Sequence, residues 1–124
     1  DPKAFAARVR AEMHQLVRAL AARDYEEAAL CVRQGEEGQP EWPPERFEDE
    51  LERYYAEYDH IDFTPFARQP DLTHVESRGK NEWQISQVIV GPERENLWFL
   101  EGRIELGKGK STESPLFLLD RIGS

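Results

Sequence analysis

Along the first twenty positions, apolar residues recur every three or four residues: Phe5, Val9, Met13, Leu16 and Leu20. This is the spacing of one face of a helix, and Arg8, Arg10 and Arg18 lie largely off it. After Ala21-Ala22-Arg23, Asp24 precedes Tyr25-Glu26-Glu27. The pattern predicts a break and a second helix capped by Asp24, with Glu27 reaching back three residues in a capping box. That helix is expected to run through Ala28, Ala29 and Val32 to Gln34-Gly35, with Cys31 packing as a small apolar residue. Gly35 to Trp42 has the composition of a mobile loop. Pro43-Pro44-Glu45 opens a third helix, because a proline in the first turn lacks only an N–H that would have no partner there. Its stripe is Phe47, Leu51, Tyr54 and Tyr58, with Tyr55 beside it.

From His60 the period falls to two. Ile61 and Phe63 alternate with polar neighbours until Pro65, predicting a short edge strand. Leu72 to Glu76 predicts a second strand, and Ser77-Arg78-Gly79-Lys80 a turn. The strongest pattern follows: Trp83 to Val90 and Leu97 to Leu106 form a long hairpin about Gly91–Asn96. In its second arm Trp98, Leu100, Ile104 and Leu106 share one face, with Gly102 among them, and Glu101, Arg103 and Glu105 share the other. Trp83 and Trp98 are expected as core or interface anchors. Pro115 to Ile122 is the last strand. The expected class is α+β, with three N-terminal helices packed on a curved antiparallel sheet of about five strands.

Charge separates the segments. Residues 35–62 hold two basic and eleven acidic side chains and so supply the chain's net charge of −9, the flanking parts nearly cancelling. Such acidity repels nucleic-acid backbones, so direct nucleic-acid binding is not expected, a basic face of Arg8, Arg10 and Arg18 being its sole candidate. The acidic segment is a solvated helix face or a docking surface for a basic partner. No apolar run approaches the roughly eighteen residues of a membrane span. The one cysteine rules out an internal disulfide, and the chain reads as a cytoplasmic, soluble domain covering residues 1–124. Because it starts at Asp1 with a helical pattern within a few residues, the chain is expected to be excised from a longer protein, and proteolytic removal of a leader would look the same.

Chemical motifs are few. Gly107-Lys108-Gly109-Lys110-Ser111-Thr112 suggests a phosphate-binding loop, but from Gly102 the eighth position is Gly109 rather than a hydroxyl residue, and Pro115 follows where a helix is required. His14, His60 and His74 have no partners at ligand spacing, so no metal or cofactor is expected. No serine sits in a nucleophile elbow. If a pocket lies between sheet and helices, its candidate groups are Tyr54, Tyr58, His74 and Asp120, with His74 pairing to Asp62, Glu101 or Asp120.

The stretch Leu16 to Ala29, a third helix and the long strands carrying Trp83 and Trp98 resemble the nuclear transport factor 2-like cone. More narrowly, Trp42–Phe47, Tyr54–Tyr58, Ala67–Thr73 and Trp83–Val88 resemble an uncharacterised domain at the C-terminus of bacterial DEAD/DEAH-box helicase-like proteins. The resemblance implies an ATP-dependent helicase core elsewhere in the parent and an accessory, non-catalytic interaction role here. A protein partner or the helicase core itself is then the expected contact, and the open sheet also allows a homodimer. The cone fold also hosts isomerases, dehydratases and hydrolases, which keeps a small-molecule-binding or acid–base enzyme domain as the alternative.

Overall fold

The computed structural model describes residues 1–124. Helix α1 spans Pro2–Ala21, α2 Tyr25–Leu30 and α3 Pro44–Glu57; strands β1 Thr73–Ser77, β2 Glu82–Ile89, β3 Trp98–Glu105 and β4 Leu118–Gly123 follow. The class is α+β. No helix is long and apolar enough to cross a membrane.

The stripe of α1 is buried as its spacing requires: Val9, Met13, Leu16 and Leu20 are all in the core. The break falls at Arg23, whose φ of 54° turns the chain out of the helix, and the N–H groups of Arg23 and Asp24 close α1 on the Leu20 and Ala19 carbonyls. Asp24 caps α2 by accepting from the Glu27 N–H at 3.1 Å. The reciprocal half of the expected capping box is not made, because the Asp24 N–H is already bound to Ala19. α2 also ends earlier than its apolar pattern suggests, at Leu30, and Cys31 forms its C-terminal cap.

The strands form one antiparallel meander in the order β1-β2-β3-β4. One row across it is Val75, Ile85, Gly102 and Leu119, and this row faces the helices. Trp83, Ile85 and Ile89 of β2 and Trp98, Leu100 and Ile104 of β3 join the same apolar cluster as α1 and α3. Gly102 belongs to the row because a Cβ there would run into the Leu118 carbonyl oxygen and lie 2.7 Å from the Phe117 ring. A register shift at Glu101/Gly102 accompanies this approach.

Two expectations are corrected. The sheet has four strands, not five: Ile61–Phe63 contributes one backbone bond, from the Asp62 N–H to the Val90 carbonyl at 2.8 Å, before Asp62 turns back to accept from the Thr64 N–H. Pro65 and Pro70 then open two 3₁₀ turns, which place Phe66, Ala67 and Leu72 against Val88, Val90 and Phe99 on the outer face of the sheet. The loop before α3 is also anchored rather than free. Gln39 Nε2 and Trp42 Nε1 donate to the Leu119 carbonyl at 2.6 and 2.8 Å, and Gln34 both donates to and accepts from the Trp42 backbone.

Candidate functional site

The space between helices and sheet is occupied by one continuous apolar cluster. Tyr54 is part of it, only 1% exposed, and its hydroxyl donates to the His60 carbonyl at 2.8 Å. Tyr58 lies beside it with ring centroids 4.9 Å apart, and Trp98 meets Tyr54 edge-on at 5.5 Å. Burial, followed by Tyr55, Glu95, Tyr58 and Asp62, pushes the Tyr54 phenol well above its ordinary range, so it stays a protonated donor. His74 is exposed on the outer sheet face, and its Nε2 donates to the Asp71 carbonyl at 2.8 Å rather than to any carboxylate. Asp120 accepts from Arg103 Nη1 at 2.6 Å. The fold thus brings Tyr54 and Tyr58 together, leaves His74 and Asp120 on opposite edge strands, and places none of the four along a groove.

The outer face of β3 carries a ladder of ion pairs. Arg103 bridges Glu105 at 2.8 Å and Asp120, and Arg121 pairs with Glu101. Burial disfavours the Arg103 charge, but hydrogen bonds to Glu105 and Asp120 outweigh it, and the Arg103 bond holds the Glu105 carboxyl below its ordinary value against partial burial. Every charge here has a partner within this chain, which suits a solvated face.

α3 is different. Glu48, Asp49, Glu52 and Ala56 fall on one side of it by helical spacing, opposite Phe47, Leu51 and Tyr54. With Arg23, Tyr25 and Tyr55 they line a surface groove of about 730 Å³. The Arg23 guanidinium stacks 3.8 Å over the Tyr55 ring, and Tyr55 donates to the Leu20 carbonyl at 3.2 Å. Burial raises the Tyr25 and Tyr55 phenols, so both remain neutral at the groove wall; the nearby Arg23 works in the opposite direction on each. None of the six carboxylates of α3 (Glu45, Glu48, Asp49, Glu50, Glu52 and Glu57) is in an ion pair. The helix's two arginines are engaged elsewhere: Arg46 lies 3.8 Å over the Trp42 ring and Arg53 5.6 Å over Trp98. The result is a negative face whose groove offers carboxylates beside the Tyr25 ring, the Tyr55 ring being taken by Arg23, a combination suited to a lysine or arginine side chain.

Two residues that the sequence pattern does not single out organise the opposite side. Glu12, buried within α1, accepts from the Leu116 N–H at 2.8 Å, the Phe117 N–H at 3.3 Å and Ser114 Oγ at 2.9 Å. Arg33 donates to the carbonyls of Pro115, Glu113 and Ser111. Together they hold the segment from Ser111 to Phe117, which contains the end of the Gly-Lys decoy loop, and Arg8 donates to Thr112 there, so it is not a free basic group. The one available signal was Glu12 lying next to Met13 on the apolar side of α1.

Comparison with curated proteins gives no match. The model of a family described as Domain of unknown function (DUF3516) matches residues 1–121. That match runs from the start of α1, through the acidic helix and the hairpin, into β4, and on it the chain belongs to the DUF3516 family.

Proposed function

We propose that this domain is a non-catalytic accessory module of a cytoplasmic, helicase-like protein, and that α3 docks it on a basic segment of that protein's body or of a separate protein. One observation carries the reading: none of the six carboxylates of α3 is in an ion pair, while both of its arginines are held over tryptophans. Exposed like charges repel one another, and an interface with a basic segment relieves that repulsion while steering the encounter. The nuclear transport factor 2-like cone is part of the same proposal. Its support is the order of three helices followed by an antiparallel meander, with α1 and α3 packing into the core on a single face of the sheet.

The test uses the full-length parent. The E48K/D49K/E52K variant and a deletion of the domain are compared with wild type for ATPase rate and for binding to the parent's partners at low and high salt. The expected result is salt-sensitive partner binding lost in both, with the ATPase rate altered. Unchanged binding and ATPase in both variants would overturn the proposal.

A further inference from the structure

The two edges of the sheet are finished differently. Along β4, the Arg33 N–H donates to the Phe117 carbonyl at 2.8 Å, and Gln39 and Trp42 both donate to the Leu119 carbonyl, so the segment from Arg33 to Trp42 covers that edge. β1 is the other edge, and apart from the Thr73 N–H, which donates to the Pro70 carbonyl, its backbone is hydrogen-bonded to β2 alone. In an antiparallel ladder, residues alternate between those whose N–H and C=O point at the neighbouring strand and those whose groups point away. The Arg78 N–H donates to the Glu82 carbonyl at 2.9 Å, one position beyond the Ser77–Trp83 pair. By alternation His74 and Glu76 bond inward to β2, and Val75 and Ser77 present their N–H and C=O groups outward together with the C=O of Thr73, whose N–H is bound to Pro70.

We propose that β1 is the edge through which two copies of this chain associate, pairing antiparallel about a two-fold axis at Val75 and joining their sheets into one. In that register Val75 exchanges both backbone hydrogen bonds with Val75 of the second copy, and the Thr73 C=O accepts from the Ser77 N–H of the second copy. Roughly four main-chain bonds form, against about two in the register centred on His74 and about four in the one centred on Glu76. The side chains select the register centred on Val75. His74 falls opposite Glu76 of the second copy, and Glu76 opposite His74, on the outer face. The neighbouring registers instead oppose His74 to His74 or Glu76 to Glu76, and directly opposed like charges destabilise a sheet. Thr73-His74-Val75-Glu76-Ser77 is therefore complementary to itself in one alignment.

On the inner side the same axis brings together two apolar grooves of about 580 Å³, each lined by Pro2, Phe5, Ala6, Val75 and Trp83 among others. Phe5 and Trp83 touch there with centroids 4.6 Å apart and are only partly buried within one copy. The uncompensated charge does not obstruct this arrangement, since α3 packs on α2 and β4, at the far edge of the sheet from β1. The inference is independent of the docking role of α3.

The test is sedimentation of the 124-residue chain from micromolar to millimolar concentration. The weight-average mass should rise from 14.4 kDa toward twice that value. Val75→Pro deletes an outward N–H and leaves the ladder to β2 intact, and it should remain monomeric. His74→Glu turns both cross-seam pairs into opposed carboxylates and should weaken association about tenfold, and the exchange variant H74E/E76H should recover it. A wild-type chain that stays monomeric throughout, a Val75→Pro chain that associates like wild type, or an exchange variant as weak as His74→Glu would each overturn the proposal. Unfolding curves of the variants at low concentration separate loss of association from loss of fold.

Discussion

Replacing Glu12 by alanine tests how the start of β4 is held to α1. The Glu12 carboxylate oxygen Oε1 accepts from two backbone N–H groups, Leu116 at 2.8 Å and Phe117 at 3.3 Å, while Oε2 accepts from Ser114 Oγ at 2.9 Å. Alanine leaves two buried donors without an acceptor, and each unsatisfied donor costs about 1–3 kcal/mol. The longer Phe117 bond shares its acceptor with Leu116, so the two losses do not add fully, and about 3 kcal/mol is the expected total. For a chain of this length that corresponds to a fall in Tm of about 12 °C. Glutamine keeps a carbonyl oxygen for both N–H groups and can turn its amide toward Ser114, whose hydroxyl then accepts. Glu12→Gln should therefore cost no more than about 1 kcal/mol. Urea unfolding of the three proteins at neutral pH measures the difference. A Glu12→Ala cost below about 1 kcal/mol, or equal costs for alanine and glutamine, would refute the account, the second outcome showing that charge rather than hydrogen bonding holds the contact.

Three further outcomes follow from single sites. Gly102→Ala should destabilise by about 3 kcal/mol or more in urea unfolding, because the new methyl meets a strand backbone and the buried Phe117 ring, neither of which can yield cheaply; a cost within about 0.5 kcal/mol would show that the sheet relaxes around it. Burial, then the negative charges of Glu27, Glu12 and Asp24, pushes the Cys31 thiol up to about 11 from its ordinary 9.0, so at slightly alkaline pH its alkylation should be about a hundredfold slower than that of an exposed cysteine, and labelling at the exposed rate would contradict its burial. Burial, then the charges of Arg68 and Arg10, lowers the His14 pKa below 6.5. The unfolded chain then binds the proton more tightly, so stability is full above that value and is lost as pH falls through it toward the folded-state pKa. His14→Gln should lose less stability than wild type between about pH 7.5 and about pH 5.5; equal losses would remove His14 as a cause.

The periodic elements were readable from the chain because their signals are local. The stripes of α1 and α3, the Asp24 cap and the alternation in β3 each depend on neighbours within a turn or a pleat, and all four are present. What the sequence hid depends on distant partners. Ile61 and Phe63 alternate like a strand, but pairing needs a neighbour in register, and Pro65 removes a donor and begins a 3₁₀ turn before a ladder can extend. The composition of Gly35–Trp42 argues for mobility, yet the segment is fixed by a carbonyl eighty residues away from Gln39. Glu12 has the same character, since a buried carboxylate on an apolar stripe is explained only by the N–H groups that β4 brings to it.

The candidate surface shows where composition and geometry part. A net negative segment is visible in the sequence, but so are Asp49 and Arg53, Arg46 and Glu50, and Arg53 and Glu57, each spaced to form an ion pair along a helix. Counted that way, much of the charge of α3 would be neutralised within the helix. The structure sends both guanidiniums to indole rings instead, and the magnitudes favour that choice. An exposed i, i+4 ion pair contributes about 0.3–0.5 kcal/mol, whereas a cation over a buried tryptophan contributes about 0.5–2 kcal/mol and covers apolar surface with the arginine stem as well. Trp42 and Trp98 are both nearly fully buried, so the stronger contact wins at each site. The arginines that the sequence would assign to neutralising α3 are the ones that seal its core, and the negative face left without an ion pair is what the proposed docking on a basic segment would use.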